Sequence, residues 1–168
     1  MKKRIVTRLD YCQYLMVSQT NYTLTYYAEH HPEGITHDRI NRYLREDKLT
    51  PALVWEQVKD DVVLSDNGYL IFDDTIQPKP HTSIDDINCW HYDHTQNKNV
   101  KGINLLNCLY HRKDIDIPLS FDIITKPNVF TDDKGNVKRK SDKTKNQRLL
   151  EMFDMAVKNQ VKFDYVLD

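Results

Sequence analysis

The sequence has no long run of apolar residues, and it has few cysteines. Its apolar stretches are only a few residues long, too short for a helix that crosses a bilayer. The amino terminus, Met1-Lys2-Lys3-Arg4, is followed by no apolar signal core. The three cysteines, Cys12, Cys89 and Cys108, lie far apart and form no CxxC motif, so we expect buried free thiols rather than disulfides. Together these absences predict a cytoplasmic protein with no membrane partner.

What is present is the composition of a globular protein. With 168 residues, 39% hydrophobic and 29% charged, the chain fits one medium domain, or a small domain with part of a larger one. The formal net charge of -1 does not indicate nucleic acid, but it hides a basic segment. Between Lys134 and Arg148 there are seven basic residues and one acid. Such a segment is either a solvated loop or a phosphate contact, in which case Lys138, Arg139 and Lys140 would bind DNA.

Residues 1–64 predict a helical region. Ile35, Ile40 and Leu44 follow Gly34 near helical spacing, and a second helix follows Pro51. The two could form a helix-turn-helix that binds DNA, with Arg39 and Arg42 contacting phosphates or base edges. The same pattern also describes any small helical bundle.

Residues 65–168 predict an α/β domain. After the turn signal Asp66-Asn67-Gly68, the apolar pattern predicts strands, a polar connection, a helix and a last strand. The predicted ranges are 69–73, 103–110 and 115–123 for the strands, 126–142 for the connection, 143–159 for the helix and 163–167 for the last strand. Pro118 lacks an N–H, so we expect the third strand at an edge of the sheet.

A strand-helix-strand crossover makes parallel neighbours, so the last strand should lie beside the first. Asp73 and Asp168 would then lie at the same end of adjacent strands. Two carboxylates held on rigid strands are suitable ligands for Mg²⁺ or Mn²⁺. Paired aspartates after a strand are also common in turns and helix caps, where their carboxylates are solvated.

One block of the sequence resembles the first catalytic block of bacterial insertion-sequence transposases of the DDE type. Its segments are Tyr69-Leu-Ile-Phe-Asp-Asp-Thr-Ile-Gln-Pro-Lys79, Cys89-Trp-His-Tyr92 and Val100-Lys-Gly-Ile-Asn104. The resemblance covers roughly residues 35–168. It implies an RNase H-like mixed sheet preceded by a small helical region that binds the terminal inverted repeats of an element as double-stranded DNA.

The resemblance also implies roles for single residues. Asp73, with Asp74 as the alternative, and Asp168 would be the first two catalytic carboxylates and would bind the metal. Lys79 would contact phosphate near the site, and His91 would line the DNA channel. The family's third carboxylate, a glutamate on a later helix, would lie beyond residue 168.

We therefore expect an incomplete RNase H-like domain, the amino-terminal part of a truncated or divided transposase, with weak metal binding and no full activity alone. A homo-oligomer or a complementing carboxy-terminal polypeptide would be its protein partner. Two other interpretations are a non-catalytic DNA-binding fragment and a functionless remnant. A rival zinc site of Cys89, His91, His94 and His81 lacks the paired spacing of structural zinc sites.

Overall fold

The computed structural model describes residues 7–18, 22–46, 48–63 and 68–168. The chain divides into two compact units, Met1–Leu49 and Thr50–Asp168. The helices are α1 (Arg8–Val17), α2 (Leu24–His30), α3 (His37–Glu46), α4 (Pro51–Val63) and α5 (Lys145–Lys158). The strands are β1 (Gly68–Pro78), β2 (Cys89–Asp93), β3 (Lys98–Arg112), β4 (Ile115–Ile123), β5 (Asn128–Thr131), β6 (Val137–Lys140) and β7 (Phe163–Leu167).

The first unit contains α1, α2 and α3 around a small aromatic core. The rings of Tyr14 and Tyr27 stack at 4.5 Å, and Ile35 and Ile40 are buried with them. α1 begins with a capping box, in which the Thr7 hydroxyl accepts from the Asp10 N–H and the Asp10 carboxylate accepts from the Thr7 N–H. The helix predicted after Gly34 is present as α3, and it packs against α2.

α4 belongs to the second unit, although the sequence boundary was predicted after residue 64. Its Val62 side chain is fully buried in the core beneath the sheet, with Trp55 and Val58 packed against that core. The predicted helix-turn-helix joins α3 to α4, but the structure assigns these two helices to different units. The predicted turn at Asp66 and Asn67 falls outside the described residues.

The second unit is built on a mixed sheet in which β3 and β1 are central. β1 pairs antiparallel with β3 and parallel with β7. β2 and β4 share the other edge of β3, with β2 along residues 98–102 and β4 along residues 105–112. The parallel pairing of the first and last strands is confirmed. β2 and the separate β5–β6 hairpin were not predicted, because these short strands alternate weakly and are rich in polar residues.

α4 and α5 cover one face of this sheet. The buried side chains include Leu70 and Phe72 of β1, Cys108 of β3, and Met152 and Ala156 of α5. On the opposite face, which we call the open face, large apolar side chains remain exposed. The exposed residues of the open face are Tyr69, Ile123, Tyr165 and Leu167, of which Tyr165 is 62% exposed, and Ile71 and Leu109 lie half-buried on the same face.

β4 lies at an edge of the sheet, as its proline predicts. Its register against β3 shifts next to Pro118, so that Leu119 is the extra residue of a bulge. Leu119 is buried in the core. The bulge therefore accommodates the proline without removing β4 from the core.

α5 begins with a second capping box, formed by Thr144 and Gln147. The sequence predicts Leu149, Leu150, Phe153, Ala156 and Val157 as its core face. That prediction is wrong for Leu150 and Val157, which are 58% and 50% exposed. The core stripe instead runs through positions 148, 149, 152, 153 and 156, because one face of the sheet contacts a narrower stripe of the helix than its apolar residues span.

The three cysteines are free; Cys89 and Cys108 are buried, whereas Cys12 is exposed. Burial raises the pKa of the Cys108 thiol to about 12. Within the described ranges, no helix combines the length and the apolar character needed to cross a membrane.

Candidate metal and nucleic-acid site

The pairing of β1 with β7 brings two acidic positions to the same end of the sheet. Ile71 is the partner of Leu167 in this parallel pair, so Asp168 follows at the level of Phe72. Asp73 and Asp74 come next along β1. The parallel pairing of β1 with β7 therefore places Asp73 and Asp168 at the same end of adjacent strands, as predicted.

The two aspartates of β1 lie on opposite faces of the sheet. Asp73 pairs with Asn107 and shares the open face with Tyr69 and Ile71. Asp74 pairs with Leu106, a core residue, and lies on the face covered by α5. Because side chains alternate along a strand, the residue after Leu167 continues on the same face as Phe72 and Asp74. The register therefore favours Asp74, the alternative in the sequence prediction, as the neighbour of Asp168.

Asp74 is held by two hydrogen-bond donors. Lys145, the first residue of α5, forms an ion pair with Asp74 Oδ2. Asn104 Nδ2 of β3 donates to the same oxygen at 3.1 Å. Partial burial alone would raise the pKa of this carboxyl, but the hydrogen bonds from Lys145 and Asn104 outweigh it and hold the pKa below its usual value. Asp74 is therefore ionised at neutral pH.

Asn104 is fully buried, and among the described residues only one of the two polar atoms of its side-chain amide has a hydrogen-bond partner. Its Nδ2 donates to Asp74, but its Oδ1 has no partner among the described residues. A buried carbonyl oxygen without a donor is costly. It is also an oxygen of the type that hard cations bind.

A cleft next to Asp74 is lined by four lysines of the second unit and by one acid, Asp142. We call it the lysine cleft and define it by His94, Asn104, Lys126, Lys140, Lys143 and Lys145. Its volume is about 520 Å³, and it lies at the amino-terminal end of α5. Four ammonium groups around one opening form a suitable surface for phosphates.

His91, which the sequence analysis predicts to line a DNA channel, is buried beside this cleft. Its Nε2 lies 3.3 Å from Cys89 Sγ. Burial lowers the pKa of His91 to about 4, with Lys126 and Lys145 adding to the shift, so the ring is neutral at pH 7. Among the residues that the structure describes, no three His, Cys, Asp or Glu side chains are grouped for a metal ion, so the rival zinc set forms no such site.

The basic segment is largely paired within the protein. Lys138 forms an ion pair with Asp132 at 2.8 Å, and Lys143 forms one with Glu151 at 2.6 Å. Arg139 donates to the backbone carbonyl of Lys126. Of the three residues predicted to contact phosphate, Lys140 lines the lysine cleft. Lys138 and Arg139 instead form contacts within the protein around the β5–β6 hairpin.

Arg148, the last residue of that segment, is structural. It is only 8% exposed, and it donates to Asp122 Oδ2 at 2.6 Å and to Ser141 Oγ at 3.1 Å. It ties α5 to β4. Its charge is therefore compensated inside the fold.

The other predicted DNA contacts lie elsewhere. Lys79 is exposed directly after β1, where its backbone N–H donates to the carbonyl of Lys101. Arg39 and Arg42 are on α3 in the first unit, with Arg42 exposed and Arg39 half-buried. Both arginines belong to the first unit, whereas the carboxylates belong to the second.

The chain matches no family model, no curated protein and no solved structure.

Sequence reasoning missed the two residues that hold Asp74. In the sequence, Lys145 is one charge of the basic segment, and Asn104 is the last residue of the segment Val100-Lys-Gly-Ile-Asn104. A signal for Lys145 exists in the capping box, since Thr144 and Gln147 fix the first turn of α5 at the edge of the sheet. No comparable signal marks Asn104, because its role depends on the register of β1 against β3.

Proposed function

We propose that this chain provides part of the catalytic centre of a DDE-type transposase of insertion elements, and that Asp74 and Asp168 bind its divalent metal. The observation that carries the proposal is the register of β1 and β7, in which Ile71 pairs with Leu167. That register gives Asp74 and Asp168 the same end and, by alternation, the same face of two adjacent parallel strands.

The strand order supports an RNase H-like fold. Three antiparallel strands, β1, β3 and β4, are followed by α5 and by β7, which is parallel to β1. This is the strand-strand-strand-helix-strand order that the resemblance implies. β2 and the β5–β6 hairpin are additions to it.

The choice of Asp74 over Asp73 rests on what surrounds each carboxylate. Asp74 has an ammonium group, a buried amide and the lysine cleft beside it. Asp73 lies on the open face among apolar and aromatic side chains. A metal that activates a phosphate needs oxygen ligands next to a cationic surface that binds the phosphate, and Asp74 meets both requirements.

The residues present fit a divalent cation, because Asp74 already holds one positive group and Asn104 offers an unpartnered buried oxygen. Mg²⁺ bound by Asp74 and Asp168 would activate a water or a 3′-hydroxyl for attack on a DNA phosphate. The chain's own task is to hold the two carboxylates rigidly on strands. Lys126 and Lys140 would position the phosphate backbone above them.

The metal should bind weakly. Mg²⁺ sites normally use a fuller set of carboxylates or the phosphates of a substrate, and no glutamate of this chain lies in a motif that matches the third family carboxylate. A separate polypeptide is the partner that we propose for that carboxylate. Because the proposed substrate is the DNA of an insertion element, we expect a cytoplasmic location.

Metal titration tests the proposal. We expect Mn²⁺ binding in calorimetry to be weak in the wild type, to fall in Asp74→Asn and in Asp168→Asn, and to be unchanged in Asp73→Asn. The Asp73→Asn variant is a matched control because it removes the neighbouring charge from the other face. Equal Mn²⁺ affinity in the wild type and Asp74→Asn would reject Asp74 as a ligand.

A second candidate function is DNA binding without cleavage, and the lysine cleft favours it. Phosphate contacts by Lys126 and Lys140 should give salt-sensitive binding to duplex DNA, and Ala at both positions should lower the salt slope by about 2. Gel shifts with terminal inverted repeats measure the binding, and nicking with Mn²⁺ distinguishes the two functions. Binding without Asp74-dependent nicking favours the second candidate, and absence of salt-sensitive binding contradicts both.

A further inference from the structure

Asp74 is occupied by a cation that belongs to the protein. Lys145 Nζ forms an ion pair with Asp74 Oδ2. The backbone of Lys145 is fixed, because it is the first residue of α5 and the preceding Thr144 closes a capping box with Gln147. Its side chain is 40% exposed, so the ammonium group can leave Asp74 by side-chain rotation alone, with no movement of the helix.

The surroundings of Asp74 indicate that Lys145 stands where a metal ion would bind. Asn104 is fully buried, its Nδ2 is held by Asp74, and its Oδ1 has no partner among the described residues. An ammonium group satisfies the carboxylate by charge. A metal ion, or a water bound to it, would satisfy both the carboxylate and the orphaned amide oxygen.

Breaking the ion pair with Asp74 is unfavourable for Lys145 because its other neighbours are mostly lysines. The lysine cleft, which Lys145 also lines, contains Lys126, Lys140 and Lys143 and one acid, Asp142, which accepts a hydrogen bond from Asn128. Turning the ammonium group of Lys145 away from Asp74 and into this cleft adds to an excess of positive charge, which is costly at the low effective dielectric of a protein surface. A phosphate in the cleft makes the same movement favourable, because it gives Lys145 a new anionic partner.

We propose that Lys145 couples metal binding to DNA binding by exchanging Asp74 for a DNA phosphate. Without DNA, Lys145 competes with the metal for Asp74 and keeps the affinity low. With a phosphate in the lysine cleft, Lys145 pairs with it and leaves Asp74 to the metal. The proposal rests on the proposed function, because it requires Asp74 to be a metal ligand. Lys145 is a positioning residue in this scheme.

The test is a pair of Mn²⁺ titrations, with and without a saturating short duplex, in the wild type and in Lys145→Met. In each condition the titration of Asp74→Asn is subtracted, because DNA itself binds Mn²⁺. In the wild type, duplex should raise the Asp74-dependent affinity by about five-fold or more, the lower end of ordinary coupling energies. In Lys145→Met, affinity without DNA should already be raised by a similar factor, and the duplex effect should fall below about two-fold.

Lys158→Met is the matched control. It removes an exposed ammonium group from the same helix, but from its last turn and outside the lysine cleft. It should keep the coupling between duplex and Mn²⁺. The conservative variant Lys145→Gln should behave as Lys145→Met does, because both remove the charge. Melting temperatures of the variants show whether each one is folded.

The direction of the change in Lys145→Met decides the outcome. A purely structural Lys145 would lower Mn²⁺ affinity when it is replaced, and that result overturns the proposal. Equal coupling in the wild type and Lys145→Met overturns it as well, while Asp74-dependent binding in the wild type leaves the proposed function standing. Mn²⁺ binding that is the same in the wild type and Asp74→Asn overturns both.

Discussion

Neighbouring residues of a strand face opposite sides of a sheet, which gives Asp73 and Asp74 different surroundings. Asp73 lies on the open face, whereas Asp74 contacts Lys145 and Asn104 on the face that α5 covers. The sequence identifies the acidic pair but not the face of each member. The face depends on where β1 is covered, and the packing of α4 and α5 decides that.

At the same scale, His91 should make stability depend on pH. Its folded pKa of about 4 lies below the ordinary value of 6.5, so the unfolded chain takes up a proton first as pH falls. Stability should therefore be full above pH 6.5 and decrease between pH 6.5 and 4, by roughly 3 kcal/mol at most. Urea unfolding at a series of pH values measures this loss.

His91→Gln should remove most of that pH dependence, and His81→Gln, which changes an exposed histidine, should keep it. A wild-type protein whose urea midpoint stays constant between pH 7 and pH 4.5 contradicts a neutral buried His91.

The ion pair between Arg148 and Asp122 should matter more than the other ion pairs of the basic segment. Arg148 is buried, so Asp122→Ala leaves an uncompensated charge and should cost about 1–3 kcal/mol, after allowance for the partial exposure of Asp122. Glu151→Ala removes the exposed partner of Lys143 and should cost less than about 1 kcal/mol. Urea unfolding of the two variants compares these costs, and equal costs would show that Arg148 is solvated.

At the scale of single elements, the crowded centre of the sheet requires glycine at position 102. Gly102 lies between Pro78 of β1 and Cys89 of β2. A Cβ added there would lie 2.3 Å from the backbone oxygen of Gln77, which cannot move without breaking the pairing of β1 and β3. Gly102→Ala should therefore destabilise the second unit by about 1–3 kcal/mol.

Gly135→Asn is the control, since this turn glycine has a φ of +81° and open space around it, and Asn tolerates that region. Circular dichroism during thermal unfolding compares the two variants. A Gly102→Ala protein as stable as the wild type would contradict the register of β1 against β3.

The elements that the sequence predicts best are those with a strong period. The alternation of β4 and the apolar residues of α3 and α4 place these elements within a few residues of their observed bounds. The parallel pairing of β1 and β7 also follows from the order of the elements, because a helix connects them. β2, β5 and β6 could not be predicted, since they depend on neighbouring strands and not on a local pattern.

At the scale of the whole molecule, the open face of the second unit carries several exposed apolar side chains. Tyr69 and Tyr165 stack at 5.6 Å on this face, and both remain exposed, with Leu167 and Ile123 beside them. Exposed apolar patches of this kind promote association. The apolar residues on both sides of β1 predict such a face. Its extent follows only from the register of the four strands that form it, β1, β3, β4 and β7.

We therefore expect the protein to self-associate. Tyr165→Lys combined with Leu167→Lys should shift the protein towards monomer in sedimentation velocity without lowering its melting temperature, because both side chains are exposed. Val129→Lys, which changes an exposed residue of the β5–β6 hairpin, should leave the association unchanged. A wild type that stays monomeric at high concentration contradicts this expectation.

The central claim is that Asp74 and Asp168 form one metal site, and iron-mediated backbone cleavage tests it most directly. Fe²⁺ takes the place of Mg²⁺ in oxygen-ligand sites and, with peroxide, cuts the chain only close to the bound ion. We predict cuts near residues 74 and 104 together, which persist in Asp73→Asn and disappear in Asp74→Asn and in Asp168→Asn. Cuts near residue 74 that persist in Asp74→Asn, or cuts at exposed histidines alone, would contradict the account.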